Sequence, residues 1–193
     1  MGDLTQFIYR KNVTVEKCSN DEADKIFIEK YWMNRKRRSR RISYSVEHLG
    51  EKVAWIQCAD PFGTKLAKPL QLFDINDAIE LARGYFLENI PCNIESCAIA
   101  MVLRKITIDW FLAFNVLKKI VIVYQDLDIE QQGVVYRALG FKSYGSCKRA
   151  RYYSKPKHGN STGKKIIWAR ALRPINGKHY KVFMPLYPSI TNV

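Results

Sequence analysis

The chain has 193 residues, 32 of them lysine or arginine against 18 acids, giving a net charge of +14, and 47% of it is hydrophobic. That length predicts one domain, residues 1–173, with residues 174–193 as a C-terminal extension packed on it. The apolar content excludes wholesale disorder, and no apolar run approaches the roughly 18 residues of a membrane span. MGDLTQFIYRK at the start lacks the apolar stretch of a secretory leader, so a cytoplasmic protein is expected; Gln6 breaks the myristoylation pattern. The five cysteines (Cys18, Cys58, Cys92, Cys97, Cys147) form no CxxC pair and the three histidines are isolated. Reduced thiols and no metal site follow from that spacing.

The elements read as follows along the chain. Asn12–Cys18 alternates like a strand. Ser19 is placed to cap a helix whose first turn is acidic and whose apolar stripe is Ile26, Phe27, Tyr31 and Trp32. Ile42–His48 and Lys52–Cys58 form a hairpin turned around Gly50. Residues 59–72, with Pro61, Gly63 and Pro69, are irregular. Ala78–Leu87 is ambiguous by period, and Gly84, Tyr85 and Phe86 favour a strand over its second half. Asn93–Phe114 is strongly helical. Ile120–Tyr124 is short, β-branched and bounded by polar residues, as a buried strand is. Glu130–Leu139 predicts a short helix stopped by Gly140. Phe141–Cys147 and Lys165–Leu172 read as closing strands. Strands and helices in this order predict an α/β fold, a mixed central sheet with helices on both faces.

The positive charge is clustered. Residues 34–41, NRKRRSRR, hold six basic side chains in eight: Arg35, Lys36, Arg37, Arg38, Arg40 and Arg41. Residues 148–157, KRARYYSKPK, hold five in ten, and Lys148, Arg149, Arg151 and Lys155 there flank Tyr152 and Tyr153. Guanidinium forks pair with phosphates and tyrosine faces stack on bases, so a nucleic-acid partner is expected, gripped by both clusters.

The element order resembles the GNAT acyltransferase fold. The helix entry Asn93-Ile94-Glu95-Ser96-Cys97-Ala98 is similar to the turn whose backbone amides hold the pyrophosphate of coenzyme A, with Asn93 for the usual Gln and Ser96 for the usual Gly. Tyr136, followed by Gly140-Phe141, matches the tyrosine that lies near the coenzyme sulfur in that family. Closer still is the resemblance to the Mom family of phage DNA-modification proteins, a divergent GNAT branch. It rests on four landmarks within residues 78–146: Leu81-Ala82-Arg83, Asn93-Ile94-Glu95-Ser96, Tyr124-Gln125-Asp126, and Gly133-Val134-Val135-Tyr136 with Phe141. Ala82 replaces a serine there, and Gln131-Gln132-Gly133 stands where His-x-Gly is usual.

That resemblance implies conversion of adenine N6 in DNA to a methylcarbamoyl-type adduct, using acetyl-CoA or a related acyl-CoA, inside a host cell. Asp126 would take the proton of the amine, Tyr136 would protonate the departing sulfur, Arg83 would stabilise developing oxyanion charge, and Ser96 would belong to the reacting site. A base within a duplex is out of reach, so the adenine would be flipped out. Two other readings stand beside it: a GNAT enzyme acting on another amine, such as an aminoacyl-tRNA or a protein, and a nucleic-acid-binding module of the same fold without a cofactor.

Overall fold

The computed structural model describes residues 12–30, 36–62, 66, 70–71, 73–91, 93–126, 133–148 and 164–172. Its elements are β1 (Val13–Cys18), α1 (Asn20–Lys30), β2 (Arg41–His48), β3 (Glu51–Ala59), a 3₁₀ turn (Ile75–Asp77), β4 (Ala78–Phe86), α2 (Ile94–Phe114), β5 (Ile120–Asp126), α3 (Val134–Ala138), β6 (Lys142–Lys148) and β7 (Lys164–Ala171). One seven-stranded sheet runs β1-β2-β3-β4-β5-β7-β6. All pairs are antiparallel except β4 with β5.

Local chemistry explains most of these boundaries. The Glu22 amide donates to Ser19 Oγ at 3.1 Å, so Ser19 caps α1 as its position predicts. The β2–β3 turn has Leu49 at φ 56° and Gly50 at φ 86°, the left-handed pair that matches strand twist in a two-residue hairpin. Asn93 enters α2 at φ 74°. Asparagine tolerates that left-handed backbone better than most side chains, and here it supplies the turn that glycine often supplies. β4 is a strand over its whole length, which settles the ambiguous period of Ala78–Leu87. α3 is a single turn and a half, shorter than Glu130–Leu139 as read from sequence; residues 127–132 lie outside the described ones, as do Tyr31 and Trp32 of the α1 stripe.

The sheet has two differently covered faces. On one, α2 buries Ile94, Ala98, Ile99, Val102, Leu103, Ile106 and Trp110 against Tyr44, Ile56, Ile79, Leu81 and Val121. Each large side chain buried here contributes about 1.5–3 kcal/mol. α3 joins this face through Val135, Tyr136 and Leu139. On the other, α1 sets Ala23 and Phe27 on Trp55, and Leu66 and Leu70 cover Ala78, Ile120, Ile122 and Ile167. Helices on both faces of a mixed sheet is the architecture the sequence predicts.

Two features of β4 position everything that follows. The first is a bulge. Cys58 pairs with Leu81 and Gln57 with Arg83, so Ala82 is an extra residue in the ladder. Leu81 faces α2, whereas Arg83 and Tyr85 face α1. The second is a parting of strands. The parallel ladder holds from Ala78–Ile120 to Glu80–Ile122. Beyond it β4 stays with β3 as far as Phe86 and β5 stays with β7 as far as Asp126. The sheet therefore opens between them.

Candidate active site

The opening is a cleft of about 350 Å³ lined by Leu81–Phe86 of β4, Val123–Asp126 of β5, Glu95 and Ile99 of α2, Tyr136 of α3, and Lys165 of β7. Strand alternation sorts these by face. Arg83, Tyr85, Tyr124 and Asp126 reach it from the α1 side. Glu95 and Tyr136 reach it from the α2 side. The cleft thus connects the two faces through the sheet.

Each of these side chains is held for a stated reason. Arg83 is 4% exposed, and its guanidinium carbon sits 5.7 Å from the centroid of Phe27, which ties the cleft wall to α1. Asp126 is the last residue of β5, opposite Lys165 in the β7 register. It belongs to the strand rather than to a following turn, which fixes its direction. Tyr136 is half-buried, its ring 5.8 Å from both Phe141 and Trp168. Trp168 in turn donates from Nε1 to Gln125 Oε1 at 2.7 Å. Burial pushes the Glu95 carboxyl above its ordinary value.

Gly133 explains the spacing Gly-x-x-Tyr. It sits at φ 63°, and a Cβ there would lie 2.4 Å from the Trp168 ring. The glycine lets α3 start directly on Trp168, and Tyr136 one turn later stacks on the same ring. Gly133→Ala is expected to destabilise the fold by about 1–3 kcal/mol, read as a shifted denaturant midpoint, and to loosen Tyr136. An unshifted midpoint would show that α3 moves off Trp168 without penalty.

The structure revises the reading of Asn93–Ala98. Cys97 N already donates to Asn93 O at 2.9 Å, and Ile94 N to Pro91 O at 3.3 Å. Ile94 and Ala98 are fully buried. The first-turn amides ahead of the helical ladder are those of Glu95 and Ser96. Ser96 does not line the cleft of Asp126 and Tyr136, which corrects its expected place in the reacting site. Its Oγ donates to Asn93 O at 3.1 Å. It lines a second hollow of about 370 Å³ with Asn93, Cys97, Met101, Arg104 and Leu139. The helical period turns Glu95 into the cleft and Ser96 into this hollow, so the Glu95 charge is directed away from it.

The first basic cluster is also revised. Arg37 Nη2 donates to Glu80 Oε2 at 2.5 Å and to Asp60 O at 2.8 Å. Arg40 Nε donates to Asp60 Oδ2 at 2.7 Å. Arg41 Nη2 donates to Asp24 Oδ2 at 2.7 Å, and Asp24 is fully buried. Arg37 and Arg41 are thereby engaged with two buried acids of the fold, Glu80 and Asp24. Lys36 and Arg38 remain exposed, with Lys36 Nζ 3.4 Å from Asp21. Arg35, Arg149, Arg151, Tyr152, Tyr153 and Lys155 lie outside the described residues, and Lys148 ends β6 opposite Lys164. Among the described residues no helix is long and apolar enough to cross a membrane, and no group of three His, Cys, Asp or Glu side chains could hold a metal ion.

No protein-family model matches the chain, and no curated protein matches it. Solved structures do. The ribosomal-protein-S18-alanine N-acetyltransferase of Escherichia coli superposes with TM-score 0.55 at 12% identity, over 87% of this chain and 99% of that one. A variant of the spermidine N-acetyltransferase of Vibrio cholerae gives 0.54 at 9%, over 83% and 94%. A GNAT family acetyltransferase from Elizabethkingia anophelis, with acetyl-CoA bound, gives 0.51 at 12%, over 83% and 99%. The fold is that of the GNAT acetyltransferases.

Proposed function

We propose that this chain is a coenzyme A-dependent acyltransferase that modifies the N6 amine of adenine in DNA, in the manner of the Mom family. One observation carries the reading. The landmarks of that resemblance are spread from Leu81 to Tyr136, yet three of them bring Leu81, Arg83, Tyr124, Asp126 and Tyr136 to one cleft, while the Asn93–Ser96 landmark reaches it through Glu95 and sets Asn93 and Ser96 in the neighbouring hollow.

The residues present fit an acyl-CoA. The Glu95 and Ser96 amides at the start of α2 suit a pyrophosphate, and the parted strands beside them leave room for a chain running to the cleft. When bound, the coenzyme supplies an acyl carbon activated as a thioester. The protein supplies the proton handling. The exocyclic amine of adenine is a poor nucleophile, because its lone pair is delocalised into the ring, and it must lose a proton as its bond to carbon forms. Asp126 takes that proton in this reading. Tyr136, on the opposite face of the opening, holds a phenolic proton for sulfur; an ordinary phenol near 10 is protonated at neutral pH. Arg83, a donor only, suits oxygen that gains negative charge.

Ser96→Glu is expected to weaken acetyl-CoA binding at least tenfold in a calorimetric titration. An acid in the first turn of a helix favours the helix itself, so the fold survives while a phosphate is repelled. Unchanged affinity would remove this turn from the coenzyme site.

A second reading, transfer to another amine, draws on the structural neighbours, which are named for protein alanine and spermidine acceptors. The pairing of Arg37, Arg40 and Arg41 with acids also favours it, because it removes part of the expected phosphate contact. The net charge of +14 opposes it for a polycation such as spermidine. Mass spectrometry of nucleosides from DNA of cells expressing the protein tests the two. A new modified deoxyadenosine supports the DNA reading; an unmodified profile with acetyl-CoA-dependent labelling of protein or tRNA supports the second.

A further inference from the structure

We infer that Tyr85 and Tyr124 wall a slot for a single unstacked base, with Asp126 and Arg83 reading its edge. The inference rests on the DNA reading above and assigns how the base is chosen. The two tyrosines stand on the two strands that part, and both line the cleft. Tyr85 lies two residues beyond Arg83 with no register shift between them, and Tyr124 two residues before Asp126. Alternation therefore puts all four side chains on the same face of the sheet, one aromatic and one charged group from each strand.

That arrangement matches one ligand chemistry. Aromatic rings offer a base a stacking surface after it leaves the duplex, which recovers part of the energy of unstacking. The charged pair supplies a pattern. A carboxylate only accepts hydrogen bonds and a guanidinium only donates them. Adenine presents its amine as a donor beside a ring nitrogen that accepts. With the amine against Asp126 and the ring nitrogen against Arg83, both bonds are made, and the amine lies against the group that takes its proton. Guanine and thymine would place a carbonyl oxygen against the carboxylate and are rejected; cytosine, with an amine beside a ring nitrogen, shares adenine's pattern and differs from it in ring size. The same face carries Phe27 beneath Arg83, so α1 buttresses the edge-reading group.

The test is binding of the full chain to two fluorescent single strands, one containing adenines and one with thymine at each of those positions, together with acyl transfer to each. The wild type is expected to prefer the adenine strand. Tyr85→Leu is expected to lose roughly 10–100-fold in affinity for the adenine strand with unchanged acetyl-CoA affinity and thermal midpoint, and Tyr85→Phe, which keeps a ring, to restore most of it. Tyr124→Leu is the second arm, should Tyr85→Leu fail to fold. If the wild type modifies adenine and both leucine variants keep full affinity for the adenine strand, the slot is wrong and the DNA reading stands. If the wild type neither prefers adenine nor transfers an acyl group to either strand, both are overturned.

Discussion

Asp126→Asn is expected to lower acyl transfer by about 10²–10⁴ in single-turnover assays, with acetyl-CoA binding and thermal stability unchanged. The substitution preserves shape and removes the negative charge together with the capacity to hold a proton. Asp126 closes β5 in register with Lys165, and that ladder is made by the backbone, so the strand end stays where it is. Tyr136→Phe should cost as much for the complementary reason. The ring keeps its contacts with Phe141 and Trp168, and only the hydroxyl is lost. Losses below tenfold for both variants would return these residues to packing roles. A loss for Tyr136→Phe alone would mean that another group receives the amine proton. Glu95 is the candidate, since it lines the same cleft.

The second large effect is on stability. Asp24→Ala is expected to destabilise the protein by about 3–5 kcal/mol, because it leaves a largely buried guanidinium without its counter-charge. Asp24 accepts from Arg41 Nη2 at 2.7 Å and from Gln57 Nε2 at 3.3 Å. Gln57 also donates to Ser43 Oγ, and Ser43 donates to Asn20 Oδ1, so the deletion disturbs a network reaching from α1 across β2 to β3. Against a total of about 5–15 kcal/mol for an ordinary domain, such a change would leave little reserve. A urea midpoint with unaltered slope reads it. A loss under about 1 kcal/mol would show the pair to be screened by solvent.

That network shows where sequence reading reached and where it stopped. Element types were legible because each has a local cause: the Ser19 cap, the Gly50 turn, the β-branched run at Ile120, and Gly140 after α3. The landmarks around the cleft came from a family resemblance, and local spacing tells only which of them share a strand or helix. Hidden were facts that depend on partners distant in sequence. Asp24 looks like one of several acids near the start of a helix, yet it is the buried mate of Arg41. The run NRKRRSRR looked like a surface for phosphates, because nothing local reveals that Glu80, Asp60 and Asp24 will meet it. Trp168 gave no sign of supporting Tyr136, since the two meet only after β7 inserts between β5 and β6. Sequence alone sets Glu95 within the turn expected to hold a phosphate. Helical period instead turns it into the cleft and Ser96 away from it.

The extra residue at Ala82 stands outside the alternation of its own strand. Leu81 and Arg83 pair with the adjacent residues Cys58 and Gln57, so the side chains before and after Ala82 hold opposite faces as neighbours on a plain strand would. Loss of that one codon would keep Leu81 toward α2 and Arg83 and Tyr85 toward α1. What would disappear is the local bend and added twist that a bulge gives its strand, just ahead of the point where β4 and β5 separate. Such a chain would carry every cleft residue on its present face, along a straighter wall.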